Sequence, residues 1–275
     1  MDNRPIGVFD SGLGGLTAVK ELEKVLPGES VIYFGDTGRV PYGTRSRETV
    51  RRYARQDMAF LTRHDVKAVL AACGTVSSTA GDIGAALPVP YFDVLNPTAR
   101  AAAKRTRRGV VGVIGTNATI HSGSYTKALL QAEPGLKVFC QACPLFVPLV
   151  ESGFVEPEEE ITYLAAKRYL EPLRQAGVDV LILGCTHYPI ISKAIGRVMG
   201  EGVELVDSGR EAALALAEEL KRREMLSGGE RPRWAEYYVT DAPENFAGVA
   251  ELFLGHSVEG VQVNDIESYW AESTT

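Results

Sequence analysis

Two cysteines in this chain are placed as a pair. Val66-Lys-Ala-Val-Leu-Ala-Ala-Cys-Gly-Thr75 and Val178-Asp-Val-Leu-Ile-Leu-Gly-Cys-Thr-His187 match position by position, so Cys185 repeats Cys73 at an offset of 112 residues. Each is an apolar run that delivers a thiol at its end. A free cysteine has a pKa of about 8.5, and a helix N-terminus or a cationic histidine lowers it toward the thiolate. A lone cysteine at a strand end usually reads as a small buried hydrophobe. A matched pair reads differently: two thiols facing one bound molecule from opposite sides can invert a stereocentre, one removing a proton and the other returning a proton to the far face.

Other residues could tune such a pair. Asp10 closes the apolar run Ile6-Gly-Val-Phe-Asp10, and His187 follows Cys185 by two positions; a carboxylate and an imidazole so placed can accept, hold or donate protons. His64, His121 and His256 lack such a context and read as surface residues. Cys140 and Cys143 form Cys-Gln-Ala-Cys without a second Cys/His pair of ligand spacing, so packing is expected rather than zinc. The turn Gly12-Leu-Gly-Gly-Leu-Thr17, with Asp36 ending the next apolar run, admits a rival reading as a dinucleotide fingerprint. It fails at position 17, where threonine stands in place of the third glycine. No P-loop, Gly-x-Ser-x-Gly elbow or pyridoxal lysine is evident, so proton chemistry here would run without a cofactor.

Strand and helix patterns alternate along the chain. Strands are expected at Ile6–Asp10, Val31–Phe34, Lys67–Ala72, Val89–Leu95, Val110–Gly115, Lys137–Cys140, Val178–Gly184, Val203–Val206 and Glu236–Thr240. Helices are expected at Arg47–Arg63, Ser77–Ala86, Pro157–Gln175, Arg210–Met225 and Asn245–Phe253, with one more after the glycine turn. Thr37–Thr44 and Pro144–Glu151 read as loops, and Ser227–Arg233 as a flexible connection. Thr116 and Thr119, where a helix opens, suit capping or ligand contact. The same 112-residue offset relates Val94–Ala101 to Val206–Ala213, so the expected fold is α/β with two pseudo-symmetric, open parallel-sheet halves. Ligands bind beyond the carboxyl ends of such strands. Asp10, Asp36, Cys73, Thr116 and Cys185 all fall there, and one cleft between the halves could gather most of them.

Composition narrows the function. A 45% hydrophobic, 23% charged chain of 275 residues has material for one large or two ordinary cores. With a net charge of −6 and scattered basic residues, Lys104, Arg105, Arg107 and Arg108 read as a solvated helix end, and no nucleic-acid partner is expected. The absence of a spanning apolar stretch or signal-like start points to a cytoplasmic protein without a membrane partner, its four cysteines reduced.

Several motifs together resemble the glutamate racemases of the aspartate/glutamate racemase superfamily: Ile6-Gly-Val-Phe-Asp-Ser-Gly-Leu-Gly-Gly-Leu16, Tyr33-Phe-Gly-Asp-Thr37, Val40-Pro-Tyr-Gly43, Ala72-Cys-Gly-Thr75, Gly115-Thr116 with Thr119-Ile120, Pro148-Leu-Val-Glu151 and Gly184-Cys-Thr-His-Tyr-Pro189. The resemblance implies cofactor-independent interconversion of L- and D-glutamate, supplying D-glutamate for bacterial peptidoglycan. It makes Cys73 and Cys185 the acid/base thiols, assisted by Asp10, His187 and Glu151. Ser11, Tyr42, Gly43, Thr75 and Thr186 become substrate contacts with Asp10, His187, Thr116 and Thr119. It further implies a homodimer and a discontinuous first domain, residues 1–97 with 208–275, around a second at 98–207. One position departs from the pattern: Gly74 stands where asparagine usually follows the first cysteine. A side-chain amide is lost there, while the Gly74 N–H can still donate, so retained activity with weaker or differently compensated binding is expected. Aspartate or hydantoin racemization, a decarboxylase, and a non-catalytic relative that only binds remain alternatives; the two thiols and Val-Pro-Tyr-Gly favour glutamate.

Overall fold

Among the described residues all strands pair in parallel, in two separate sheets. The computed structural model describes residues 1–229 and 233–269; residues 230–232, inside the expected Ser227–Arg233 connection, and 270–275 lie outside the described residues. In chain order, β1 (Ile6–Asp10) leads into α1 (Leu16–Val25), β2 (Val31–Gly35) into α2 (Arg47–Arg63), β3 (Ala68–Ala71) into α3 (Gly74–Gly84) and β4 (Tyr91–Asp93) into α4 (Leu95–Arg105). The second series runs β5 (Val110–Gly115), α5 (Asn117–His121), α6 (Ser124–Ala132), β6 (Lys137–Ala142), α7 (Phe146–Glu151), α8 (Glu160–Gln175), β7 (Val180–Leu183), α9 (Ser192–Met199), β8 (Glu204–Asp207) and α10 (Ser208–Arg222). Then β9 (Ala235–Val239), α11 (Pro243–Leu254) and β10 (Gln262–Val263) follow.

The first sheet has the order β10-β9-β2-β1-β3-β4 and the second β6-β5-β7-β8. The second thus repeats the β2-β1-β3-β4 core of the first, and β3 and β7 have bounds offset by the same 112 residues as their cysteines. The sequence echo is therefore an echo of architecture. Every residue of β1, β2, β3 and β7 is buried, as parallel strands covered by helices on both faces require. β9 pairs with β2, so the chain returns to the first sheet after completing the second. Among the described residues no helix is long and apolar enough to cross a membrane.

Three local expectations need correction. Helix α3 begins at Gly74, directly after Cys73, instead of at Ser77; glycine and β-branched residues are poor helix formers and hid its first turn. Phe146–Glu151, expected as loop, is the short helix α7, and α6 had no counterpart in the sequence pattern. The helix expected from Pro157 begins at Glu160, with Glu159 as its N-cap.

Helix α10 joins the halves by packing against α1 and α4. The helices approach closely at Gly209, where an added Cβ would lie 3.1 Å from the Ala18 Cα. A second tie is electrostatic. Lys67, at the entry to β3, is fully buried with its Nζ 2.5 Å from Glu29 Oε2, and it donates to the carbonyls of Asp2 and Met225, 2.8 Å each. Glu29 Oε1 accepts from the Ser227 N–H at 2.8 Å. Breaking a buried pair strands the remaining charge. Lys67→Met is therefore expected to cost about 3–5 kcal/mol, measured as a lower denaturation midpoint with an unchanged slope.

Candidate active site

A cavity of about 360 Å³ lies between the carboxyl ends of the two sheets. From the first sheet it receives Asp10 and Ser11 after β1, Tyr42 and Gly43 after β2, and Cys73, Gly74 and Thr75 after β3. From the second it receives Thr116 after β5, Glu151 from α7, and Cys185, Thr186 and His187 after β7. Two expected residues fall outside the lining. Thr119 is buried behind Thr116: its N–H donates to Thr116 Oγ1 at 3.2 Å, and its hydroxyl accepts from that oxygen at 3.0 Å, so Thr116 caps α5 and Thr119 lies in its first turn. Asp36 sits behind Tyr42.

The first thiol occupies the N-cap of α3, where the helix dipole favours negative charge. Cys73 Sγ is 3.6 Å from Ser11 Oγ. Burial, reinforced by the charge of Asp10, pushes the Cys73 thiol up to about 12, so it rests protonated. Asp10 is buried as well: Oδ2 accepts from the Gly12 N–H at 3.0 Å, whereas Oδ1 has no partner among the described residues. Burial raises this carboxyl above the ordinary carboxylate range.

The glycine turn serves the same site. Thr17, the residue that breaks the dinucleotide pattern, places its hydroxyl 2.9 Å from the Gly14 carbonyl and 3.0 Å from that of Thr186. The start of α1 is thereby tied to the strand end that carries the second thiol. A Cβ at Gly14 would overlap the Thr186 hydroxyl, so the turn lies directly against that strand end and leaves no room there for a pyrophosphate.

The second thiol has a different partner. Cys185 Sγ lies 4.0 Å from His187 Nδ1, and His187 Nε2 lies 3.0 Å from Glu151 Oε1. The edge of Phe253 closes the imidazole off, with ring centroids 5.2 Å apart. Burial alone would lower the pKa of His187; the interactions with Cys185 and Glu151 outweigh it and hold the imidazole up at about 10. His187 is thus a cation near neutral pH, 43% exposed Glu151 being its counter-charge. One thiol sits beside a carboxyl and the other beside an imidazolium.

The loop after β2 is held from below. The Tyr42 hydroxyl donates to the Asp36 carboxylate and lies 3.1 Å from Asp57 Oδ2. Arg39 pairs with Asp36 at 2.6 Å and Asp57 at 3.2 Å, and stacks 4.0 Å above the Tyr53 ring. Thr240 donates to Asp36 at 2.9 Å. The phenol is thereby engaged with the protein, which leaves the Tyr42–Gly43 backbone for a ligand. Nothing in the sequence pattern singled out Arg39 or Asp57; the one available signal was Asp36 at a strand end. Cys143 was also missed: it is buried and lines the cavity, whereas Cys140 is exposed on the edge strand β6 and does not pack as expected.

Comparison with known proteins gives a concordant picture. Residues 9–216 match the Asp/Glu/Hydantoin racemase family. The chain is similar to the glutamate racemase of Geobacter metallireducens, 47% identical over 266 residues that cover 96% of this chain and 98% of the relative. Its structure is similar to that of the Francisella tularensis glutamate racemase in complex with D-glutamate, at a TM-score of 0.91, 40% identity, and coverage of 98% and 100%. The Thermus thermophilus glutamate racemase in complex with beta-chloro-D-alanine gives a TM-score of 0.86 at 43% identity, with coverage of 97% and 99%.

The charged histidine has a measurable consequence. His187 binds its proton more tightly folded, at about 10, than at its ordinary value of 6.5. Its contribution to stability is then full below pH 6.5 and is lost as pH rises toward about 10. Denaturation midpoints of the wild type are expected to fall across that window, and His187→Asn to flatten the fall. An equal slope in both proteins would show that His187 is not charged in the folded state.

Proposed function

The chain belongs to the Asp/Glu/Hydantoin racemase family, and from that premise we propose that it interconverts L- and D-glutamate by proton transfer between two thiols, without a cofactor. The observation that carries this reading is the placement of Cys73 and Cys185 at equivalent strand ends of two sheets, lining one cavity, the first beside Ser11 and the second beside His187. The thiolate on one face of the substrate takes the Cα proton, and the electron pair left on Cα delocalises into the α-carboxylate. The opposite thiol gives its proton to the other face. Each half-reaction leaves the enzyme with one thiol and one thiolate exchanged, and the reverse reaction restores them.

The partners suit these tasks. An imidazolium at His187 supplies a counter-charge beside Cys185, and Glu151 fixes its orientation through Nε2. Asp10, with an unpartnered Oδ1 and a raised pKa, can hold a proton or meet the substrate ammonium group beside Cys73. The first N–H groups of α3, the Tyr42–Gly43 backbone, Ser11, Thr75, Thr116 and Thr186 supply donors toward the substrate carboxylates. Such preorganised donors count most when charge builds up in the transition state. The glutamate complex of the Francisella relative supports the choice of substrate.

The wider reading follows. We assign the product D-glutamate to bacterial peptidoglycan synthesis, place the enzyme in the cytoplasm, and take it to be a homodimer. Each sheet would be the core of one domain, residues 1–97 with 208–275 and residues 98–207.

The decisive measurement is deuterium incorporation at Cα of each glutamate enantiomer in heavy water, without added cofactor. Wild type is expected to exchange and racemize both, and Cys73→Ala and Cys185→Ala each to lose racemization by orders of magnitude. A wild type that leaves both enantiomers untouched, or a single-cysteine variant that racemizes normally, refutes the two-thiol reading.

A further inference from the structure

The two thiol-bearing strand ends meet at two glycines. Gly74 directly follows Cys73 and opens α3, and Gly184 directly precedes Cys185. A Cβ added at Gly74 would overlap the Gly184 carbonyl oxygen, lie 3.3 Å from the carbonyl carbon and 3.8 Å from the Cys185 Cα. These are backbone atoms, and they have little freedom to retreat. The Gly184 N–H donates to the Ile114 carbonyl at 2.8 Å, and on the other side the Tyr125 ring closes in, 3.1 Å from where a Gly184 Cβ would stand.

Helix α3 is equally constrained. Ser77 Oγ donates to the Ala71 carbonyl at 3.2 Å and accepts from the Val94 N–H at 3.3 Å, which fixes the helix on its own sheet. Two further contacts carry the same helix across to the second half: the Thr75 and Thr116 hydroxyls at 3.1 Å, and Ser124 Oγ donating to the Ser78 carbonyl at 2.7 Å. The helix that starts at one thiol therefore rests on the second half along its first turns, and its closest contact tolerates no side chain.

We propose that Gly74 is a positioning residue whose missing side chain sets the separation of Cys73 and Cys185, by letting the start of α3 seat on the Gly184 carbonyl. Asparagine at this position is then no simple restoration of an amide. In this chain a Cβ at position 74 presses on the Gly184 carbonyl, so glycine here does more than remove an amide. The inference rests on the two-thiol reading and makes it more specific. Inversion needs both sulfurs within reach of one Cα. Exchange with return of a solvent-derived proton to the same face needs only one. A misplacement of about 1 Å can cost about 100-fold in rate, and here the loss falls on the transfer that depends on the second sulfur.

The test measures racemization and Cα deuterium exchange with retention side by side for wild type, Gly74→Ala, Gly74→Asn and Gly81→Ala. Gly81 lies on the same helix, and a Cβ there would meet only Asp93 Oδ2, at 3.9 Å, so Gly81→Ala serves as the control with unchanged kcat. Gly74→Ala is expected to lose at least about 10-fold in racemization kcat, with KM little changed and the ratio of retained exchange to inversion raised; Gly74→Asn is expected to behave likewise. If wild type racemizes and Gly74→Ala matches it in kcat and in that ratio, the positioning role is wrong while the two-thiol reading stands. If wild type exchanges neither enantiomer, the two-thiol reading falls and this inference with it. Should Gly74→Ala fail to fold, Ser124→Ala decides, because it removes one cross-contact outside the cavity: a raised exchange-to-inversion ratio supports the proposal, and an unchanged ratio overturns it.

Discussion

A parallel sheet brings the carboxyl ends of all its strands to one edge, and this constraint organises the molecule. Two sheets of the same strand order, with those edges turned toward each other, place the residues after β1, β2 and β3 opposite the residues after β5 and β7. No long-range steering of individual side chains is needed to bring Cys73 near Cys185. Each thiol follows from its own strand, and the opposition follows from the way the sheets pack. What remains to be set locally is distance, and there the backbone itself forms the contact, at Gly74 against Gly184, at Gly14 against Thr186, and at Gly209 against Ala18.

Burial then shapes the electrostatics of the two sides differently. On the Cys73 side a thiol and a carboxyl share a buried pocket without a cation in direct contact, and both are pushed toward their protonated forms. On the Cys185 side an imidazolium is held charged against the cost of burial by the sulfur and by Glu151. A pair of bases that must alternate between acid and base needs one proton between them, and here the two members stand beside different groups. His187 is a counter-charge that Cys73 lacks. Asp10 is a second proton site that Cys185 lacks. The pseudo-symmetry of the strands is therefore not a symmetry of the chemistry.

Much of this could be read from residue order. Apolar runs such as Leu181-Ile-Leu-Gly184 announce fully buried parallel strands, and a cysteine at the same point of two matching runs announces a repeated role. The echo survives because strand and turn must satisfy the same geometry in both halves. Other features stayed hidden for physical reasons. Lys67 and Asp57 are charged residues that look like solvated positions, yet both are buried because distant segments bring them partners: Glu29 and the carbonyls of Asp2 and Met225 for one, Arg39 and Tyr42 for the other. Helix α3 starts earlier than its composition signals because its first turn, Gly74-Thr75-Val76, is made of weak helix formers. Thr119 carries the chemistry of a ligand contact, but its N–H and hydroxyl are engaged by Thr116, the N-cap of α5.

The cluster beneath Tyr42 shows how such hidden groups serve the cavity. Asp36 and Asp57 are both fully buried and share one guanidinium, so two full negative charges there would repel at close range in a medium of low dielectric. Burial and the charge of Asp36 raise Asp57 well above the ordinary carboxylate range, and burial raises Asp36 as well, against the pull of Arg39. Tyr42 and Thr240 donate into the cluster, Arg39 donates to Gln56 Oε1, and Glu267 pairs with the guanidinium from its exposed side. An internally hydrogen-bonded cluster of this kind can anchor a loop whose own regular structure is limited to two short 3-10 turns, Thr37–Arg39 and Tyr42–Thr44. The Val40–Thr44 segment then presents backbone to the cavity at a fixed height, for the same reason that Gly74 does so on the facing side: a site that must hold a small molecule between two sulfurs leaves little room for side chains that are not part of the chemistry.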